Sequence, residues 1–285
     1  MTQIDGGTRL IGLLGWPVEH SFSPAMHNAA AAALGLNWVY LPLPVRPAAV
    51  GTAVRGLAAL GFVGVNVTVP HKQAVIPYLD DLSAAARTLG AVNTIVVQHE
   101  PKPNLLGDNT DWNGFLDDLD AQHVALSGRD CLVLGAGGSA RAVAYALDER
   151  GGRLVILARR PEQAAHLLTD LGLDDVHEVR PLASLAQVVG RMQAPLIVNT
   201  TPLGMSPMVD QSVWPAELPI PPGSFVYDLV YNPRQTRLMT QAAAAGCATS
   251  NGLGMLLRQG ARAFALWTGQ QPDISVMAQA LEVAT

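Results

Sequence analysis

The sequence predicts an α/β protein made of two open sheets, and three observations predict it. Apolar strand-like runs alternate with helical runs from Arg9 to Leu229. The series restarts at Asp130, where a glycine-rich turn sits between a strand and a helix. The last 34 residues, Gly252–Thr285, hold two helical patterns and no strand. Alternation of this kind calls for largely parallel strands with helices on the sheet faces.

Composition supports the class. The chain has 285 residues, 49% of them hydrophobic and 14% charged, enough for one large or two ordinary domains. Disorder is excluded, because so apolar a chain gains more from burial than it loses in entropy. Eighteen basic against 23 acidic residues give a net charge of −5, the wrong sign for a protein held to nucleic acid by phosphate contacts. Mean hydropathy is +0.23, yet Ser21–Val45 and Leu238–Leu257 are broken by polar residues, Pro and Gly. No membrane span is therefore expected. MTQIDGGTRL shows no signal-peptide pattern, so a cytoplasmic protein is expected. Cys131 and Cys247 are read as buried reduced thiols, and no Cys/His spacing suits a metal.

The elements follow in order. Arg9–Leu14 is a short strand ending at Gly15. Pro24–Leu34 is an Ala-rich helix stopped by Gly35, with Ser23 a candidate N-cap. Asn37–Leu43 is a strand, Ala48–Leu60 a helix, and Val63–Val67 and Ala91–Val97 are strands. His99–Asn104 turns the chain into Leu105–Gly107. A helix over Phe115–Leu119 has Thr110 or Asp111 as a candidate cap. In the second series, Cys131–Leu134, Arg153–Ala158, Val176–Arg180, Leu196–Asn199 and Phe225–Leu229 are strands. Ser139–Glu149 and Glu162–Leu171 are helices. Pro202–Pro222 holds six prolines. It reads as a loop over a site or as a surface excursion. In the C-terminal stretch, Met255, Leu256, Ala263, Phe264 and Leu266 are expected to form an apolar stripe.

The sharpest generic motif is Gly135-Ala136-Gly137-Gly138-Ser139-Ala140, directly after a strand and opening a helix. This is the G-x-G-x-x-A form of the dinucleotide fingerprint. Its first Gly makes the turn, its second lets backbone approach a pyrophosphate, and its small last residue keeps helix close to strand. The alternative is a tight βα turn. About 20 residues on, NAD sites carry an Asp or Glu for the ribose 2′-hydroxyl. Here the strand ends in Leu157-Ala158-Arg159-Arg160. Two guanidiniums suit a 2′-phosphate, which selects NADP; the alternative is a solvated basic turn.

The front half carries four polar clusters, each at or near a strand end. These are Glu19–Pro24, Asn66–Lys72, Gly90–Thr94 and Gly107–Asp111. Any one could be helix capping, but four at one edge suit a ligand site.

With these motifs in order the chain resembles the shikimate dehydrogenase family. The resemblance rests on Ser21-Phe-Ser23-Pro24 with His27-Asn28, on Asn66-Val-Thr-Val-Pro-His-Lys72, and on Ala91-Val-Asn-Thr94. It continues through Gly107-Asp-Asn-Thr-Asp111, the fingerprint, Asn199-Thr-Thr-Pro-Leu-Gly-Met205 and Tyr227-Asp-Leu-Val-Tyr-Asn-Pro233. It ends with Gly252-Leu-Gly-Met-Leu-Leu-Arg-Gln259 and Trp267-Thr-Gly269. It implies NADPH-dependent, reversible reduction of 3-dehydroshikimate to shikimate in aromatic amino acid biosynthesis. It also implies an open α/β substrate domain over 1–111, a Rossmann-type NADP domain over 112–251, and C-terminal helices over 252–285 returning to the first domain. On that arrangement strands stop after Leu229.

The resemblance makes Lys72 and Asp111 the catalytic pair. It places Ser21 and Ser23 on the substrate carboxylate, and Thr68, Asn93 and Gln259 on ring hydroxyls or in orienting Lys72. Tyr231 is a substrate-side phenol or a packed aromatic. Thr200, Gly252, Arg159 and Arg160 join the fingerprint as cofactor residues. The partner is a small molecule, without nucleic acid or membrane, and the protein is a monomer or homodimer. His20, His27 and His71 are read as packing or hydrogen-bonding residues, with no metal. Two departures stand out. Ala158-Arg159-Arg160 replaces the family's Asn-Arg-Thr, and Trp112 stands where the family often has Gly. The rival readings are a dual quinate/shikimate dehydrogenase using NAD, and a non-catalytic nucleotide or shikimate sensor. Ser at position 23 leans against quinate, and the missing acidic residue leans against NAD. Retention of Lys72 and Asp111 leans against a sensor.

Overall fold

Two six-stranded sheets organise the chain. The computed structural model describes residues 4–284. Residues 1–3, part of the N-terminal stretch read for a signal sequence, lie outside the described residues. The chain divides into two compact units. One runs through Gly114 and resumes at Leu256, and the other is Phe115–Met255. Each crossing falls inside a helix, α4 (Asp111–Ala121) or α9 (Leu253–Thr268).

The first unit contains β1 (Arg9–Gly15), β2 (Trp38–Pro44), β3 (Phe62–Val67), β4 (Asp81–Leu82), β5 (Thr94–Gln98) and β6 (Asn104–Asp108), in the order β2-β1-β3-β5-β6-β4. β1 pairs parallel with β2 and β3, whereas β5 runs antiparallel to both β3 and β6. The short turn between β5 and β6 dictates the second of these pairings, because a parallel pair needs a longer crossover. The reversal brings the start of β5 to the edge where β1, β3 and β6 end.

Alternation along β1 explains the layers. Ile11 and Leu13 face a core shared with Met26 and Ala30 of α1 (Ser23–Ala33), Phe264 and Trp267 of α9, and Met277 and Leu281 of α10 (Ile274–Ala284). Leu14 faces the other core, with Val50, Val54 and Leu57 of α2 (Val50–Ala59). A further short helix, α3 (Ala84–Leu89), is capped by Ser83 and ends at Gly90.

Two local expectations are corrected and one element is added. The residue before α1 is Phe22, with no side-chain cap, and Ser23 already lies inside the helix. Met255, Ala263 and Phe264 of the expected stripe are buried, but Leu266 is 45% exposed, and the stripe continues through Leu257, Ala261 and Trp267. The two-residue β4 carried no apolar run to announce it.

The second unit holds β7 (Asp130–Leu134), α5 (Gly138–Glu149), β8 (Arg153–Ala158), α6 (Pro161–Leu171), β9 (Glu178–Pro181) and α7 (Leu185–Val189). It continues with β10 (Leu196–Asn199), β11 (Phe225–Asp228), α8 (Arg237–Ala244) and β12 (Ala248–Asn251). All six strands are parallel, ordered β12-β11-β10-β7-β8-β9. This is a doubly wound order, reversing direction between β7 and β10, where such sheets bind ligands. β12 overturns the expectation that strands stop after Leu229. It is short, polar and at the sheet edge, so it lacks the apolar run of a central strand.

The proline-rich segment 202–222 has no helix or strand. Its second half is anchored, for Val213, Trp214 and Ile220 enter the core beside Ile197, Val226 and Leu238. The Trp214 indole donates to Leu218 O at 2.9 Å. Cys131 and Cys247 are buried and unpaired, and burial pushes the Cys131 thiol up to about 12. No described helix is long and apolar enough to cross a membrane.

Candidate active site

Lys72 and Asp111 meet at the edge where β3 and β6 end. Lys72 Nζ donates to Asp111 Oδ2 at 2.7 Å, with the two side chains 16% and 8% exposed. Attraction between charges so enclosed exceeds that of the same pair in water.

The backbone around Lys72 is pinned on both sides. After β3 the chain turns, with His71 N–H donating to Thr68 O at 2.9 Å. The buried His71 ring bonds Val45 O at 2.7 Å through Nε2. Lys72 O accepts from Val92 N–H at 2.7 Å. Asp111 opens α4, and its own N–H donates to Asn109 Oδ1 at 3.0 Å. Asn109 in turn donates to Ala91 O at 2.9 Å. The Asp111 carboxylate therefore faces Lys72 and Asn93, which answers the capping alternative for this residue.

Asn93 is buried at the centre. Its Nδ2 has two protons to share among three acceptors, Asp111 Oδ1 at 2.8 Å, Thr110 Oγ1 at 3.0 Å and Gln259 Oε1 at 3.2 Å. Its Oδ1 accepts from Thr110 N–H at 2.8 Å. Gln259, from α9, donates to Leu256 O at 2.8 Å. The pair keeps further capacity. Lys72 has three ammonium protons, and each carboxylate oxygen of Asp111 retains a lone pair. A ketone or hydroxyl oxygen brought to this edge would find a cationic donor beside an anionic acceptor.

The remaining first-unit residues stand on the same edge. Thr68 follows β3, its N–H donating to Leu14 O at 2.9 Å. Ser21 Oγ accepts from Ser23 N–H at 3.2 Å, so the hydroxyl proton of Ser21 stays available to donate. Ser23 is buried beside Tyr40, whose phenol burial drives well above its ordinary value while the Ser23 side chain opposes the rise.

The second unit supplies a different surface. Gly135 has φ +114°, a region that favours glycine, and a Cβ there would lie 2.6 Å from Thr200 Oγ1. Thr200 is held at the end of β10, its N–H and hydroxyl donating to Leu134 O at 2.9 and 2.8 Å. A Cβ on Gly137 or Gly138 would meet nothing within 4 Å. Protein packing does not require glycine at those two positions, and in the fingerprint the second Gly, Gly137, is the one that leaves room for a pyrophosphate. Gly137 precedes α5 without a side-chain cap, leaving the first N–H groups of the helix for an anion. Ala136 and Ser139 are half-buried, while Ala140 is fully buried where the helix meets the sheet. Arg159 and Arg160 are exposed just beyond β8. These groups fit a dinucleotide bearing an extra phosphate. Tyr231 and Gly252 also belong to this unit.

Some residues had little sequence signal. Tyr40 reads as part of an apolar strand, yet its phenol donates to Asn66 Oδ1 at 2.9 Å. Asn66 and Thr94 lie within the sequence motifs without an assigned part, and Thr110 stands there only as a candidate cap. Strand pairing sets several of their partners, such as Tyr40 and Thr94 for Asn66 and Asn93 for Thr110, 17 to 28 residues away in the chain, while Thr110 also reaches Gln259 O on α9. His71 bonds as expected of it. His27 only packs, for neither ring nitrogen has a hydrogen-bond partner. Among the described residues no three His, Cys, Asp or Glu gather as metal ligands.

Comparison with known proteins gives consistent matches. Residues 13–95 match the shikimate dehydrogenase substrate binding domain, and residues 252–282 the shikimate 5′-dehydrogenase C-terminal domain. A shikimate dehydrogenase (NADP(+)) of Moorella thermoacetica is 47% identical, covering 100% of this chain and 96% of that protein. A crystal structure of a shikimate dehydrogenase in complex with NADP+ has a TM-score of 0.91 at 38% identity, over 99% of this chain and 97% of that one. The shikimate 5-dehydrogenase of Thermus thermophilus, in complex with NADP(H) and shikimate, has a TM-score of 0.86 at 40% identity. It spans 97% of this chain and 100% of that one.

Proposed function

The chain belongs to the shikimate dehydrogenase family, and from that premise we propose how its own residues divide the work. The reaction is the reversible, NADPH-dependent reduction of 3-dehydroshikimate to shikimate, a step of aromatic amino acid biosynthesis. NADPH, when bound, supplies the hydride that reduces the ketone.

The ketone oxygen gains negative charge in this step and must take a proton. Lys72 donates to that oxygen through an ammonium proton that Asp111 does not hold. Asp111 holds Lys72 at 2.7 Å and accepts from a substrate hydroxyl with its remaining lone pairs. Asn93 orients the carboxylate, and Gln259 braces Asn93. Ser21 and Ser23 bind the substrate carboxylate as hydroxyl donors without adding charge. Thr68 holds a ring hydroxyl, and Tyr231 serves as a substrate-side phenol. In the second unit, Gly135–Ala140 with Thr200 and Gly252 takes the cofactor, and Arg159 and Arg160 grip its 2′-phosphate. The single observation that carries this reading is the Lys72–Asp111 pair, enclosed and held by Asn93 at the edge where the other polar clusters converge.

We place the enzyme in the cytoplasm, where its two unpaired buried thiols suit a reducing compartment. It acts as a monomer or homodimer. A spectrophotometric assay of shikimate and quinate, each with NADP and NAD, tests the reading. Shikimate with NADP gives the highest kcat/KM. A preference for quinate or NAD would overturn the assignment, and absence of turnover with all four pairs would support the sensor reading instead.

A further inference from the structure

The polar groups buried in the first unit form a longer chain than the pair and its immediate neighbours. Tyr40 Oη meets Asn66 Oδ1 at 2.9 Å. Asn66 Nδ2 meets Thr94 Oγ1 at 3.2 Å and Asn93 O at 3.2 Å. Thr94 Oγ1 meets Asn93 Oδ1 at 3.0 Å. Asn93 Nδ2 then reaches Asp111 Oδ1 at 2.8 Å. Tyr40, Asn66, Thr94, Asn93 and Asp111 are all buried.

The direction of every link follows from two fixed points. Asn66 approaches the main-chain carbonyl of Asn93, which only accepts, so that end of the amide is nitrogen and the other is oxygen. Tyr40 must then donate. Asn93 faces the main-chain N–H of Thr110, which only donates, so that end is oxygen. Thr94 must then donate to Asn93, and Asn93 donates to Asp111. Hydrogen bonds aligned head to tail polarise one another. This chain delivers its last proton to the carboxylate oxygen that Lys72 does not hold.

Tyr40 is set up to start it. Its ring lies against His27 with centroids 4.3 Å apart and planes 4° from parallel. His27 is fully buried, and burial holds its imidazole down to about 3, so a neutral ring backs the phenol. Burial drives the Tyr40 phenol well above its ordinary value, so it keeps the proton it must donate.

We propose that Tyr40 is a positioning residue for the catalytic pair, acting through Asn66, Thr94 and Asn93 to fix the Asp111 carboxylate against Lys72. The inference rests on the roles proposed above for Lys72 and Asp111. Neither Tyr40 nor Thr94 is assigned to substrate or cofactor, so their effect falls on turnover rather than on binding.

The test is a double-mutant cycle on the full-length enzyme with the near-isosteric variants Tyr40→Phe and Thr94→Val. Each lowers kcat about tenfold, the scale of one buried hydrogen bond whose partner is left unsatisfied. KM for shikimate and for NADP stays within about twofold, as expected for groups outside the uniform binding contacts. The double variant is no slower than the slower single, because either change already breaks the chain. Wild-type kcat in Tyr40→Phe, or effects that multiply in the double variant, would overturn the inference. A change confined to shikimate KM would overturn it too, since Tyr40 would then serve the neighbouring Ser23. If Tyr40→Phe alone fails to fold, Thr94→Val with wild-type kcat still overturns it. Lys72→Ala is measured alongside. Near-normal turnover there removes the catalytic pair itself, whereas an inactive Lys72→Ala with a normal Tyr40→Phe removes only this inference.

Discussion

The two units present opposite kinds of surface at the ends of their strands. The first is lined by side chains that bond one another, so that Asn93 alone engages Asp111, Thr110 and Gln259. The second is lined largely by backbone, with glycines whose missing side chains leave open space and a helix start without a side-chain cap. The difference suits the ligands proposed for them. A small acid with several hydroxyls must be told from its analogues by groups of fixed direction. A dinucleotide is held chiefly by its phosphates, which any correctly placed N–H groups can take. Substitutions should therefore act on chemistry and substrate discrimination in the first unit, and on cofactor choice in the second.

Lys72→Ala breaks the comparison most sharply. It lowers kcat about 10²–10⁴-fold, the usual range for a positioned acid–base group, with a smaller change in shikimate KM. Steady-state kinetics with both substrates varied decides the matter, and near-normal kcat would remove Lys72 from the chemistry.

The next effect is on stability, and the two units carry opposite signs. His27 in the first unit falls from 6.5 to about 3, lowered by burial. The unfolded chain takes a proton there that the folded chain refuses. Stability from this group is present above 6.5 and is lost as pH falls toward 3. Asp228 in the second unit rises from 3.8 to about 6, raised by burial against hydrogen bonds from Thr236, Val230 and Asn199. Its contribution is present below 3.8 and is lost as pH rises through 6. Each slope is about 1.4 kcal/mol per pH unit at most, so between about pH 4 and 6 the two oppose. Asp228→Asn removes one and steepens the loss of stability on acidification. Urea denaturation across that window measures it, and a profile parallel to the wild type would show that Asp228 does not titrate as described.

Arg159→Ala sharpens the assignment of the second unit. Loss of a charge-assisted contact raises KM for NADP about 10- to 100-fold and leaves KM for NAD nearly unchanged. An equal effect on both cofactors would place Arg159 away from the 2′-phosphate. The smallest effect belongs to Ser21→Ala, where one hydroxyl contact is lost from the substrate carboxylate. Shikimate KM rises about fivefold with kcat little changed. An unchanged KM would take Ser21 out of the site.

Legibility differed between the units for the same reason that their surfaces do. The fingerprint from Gly135 to Ala140 is a spacing pattern within one turn, and the turn adopts its geometry locally. Arg159 and Arg160 follow directly from the second strand of that series. In the first unit the motifs could be read as polar clusters at strand ends, and resemblance supplied their roles. Their bonding partners could not be read. Asn93 and Gln259 are 166 residues apart, and no local rule joins them. β12 was missed because its Ala-Thr-Ser-Asn sequence forms an edge strand, which needs no apolar run. Ser23 was misread as a cap because Ser-Pro is the ordinary signature of a helix start, whereas α1 begins one residue earlier.

Apolar periodicity, the glycine turn and the absence of a carboxylate after the second strand of the series are local properties. They were enough to read the α/β class and the phosphate-bearing cofactor, and to point to Gly135–Ala140 as the place proposed for it. Strand order and the direction of hydrogen bonds are properties of the folded chain. The antiparallel pairing of β5 with β3 and β6 brings Asn93 and Thr94 to the edge where Lys72 and Asp111 stand. The return of α9 sets Gln259 against them, and stacking on His27 turns the Tyr40 phenol toward Asn66. Hydrogen bonds act over about 3 Å and only along defined directions, so groups scattered through the sequence acquire a common function only when packing has fixed where each one points.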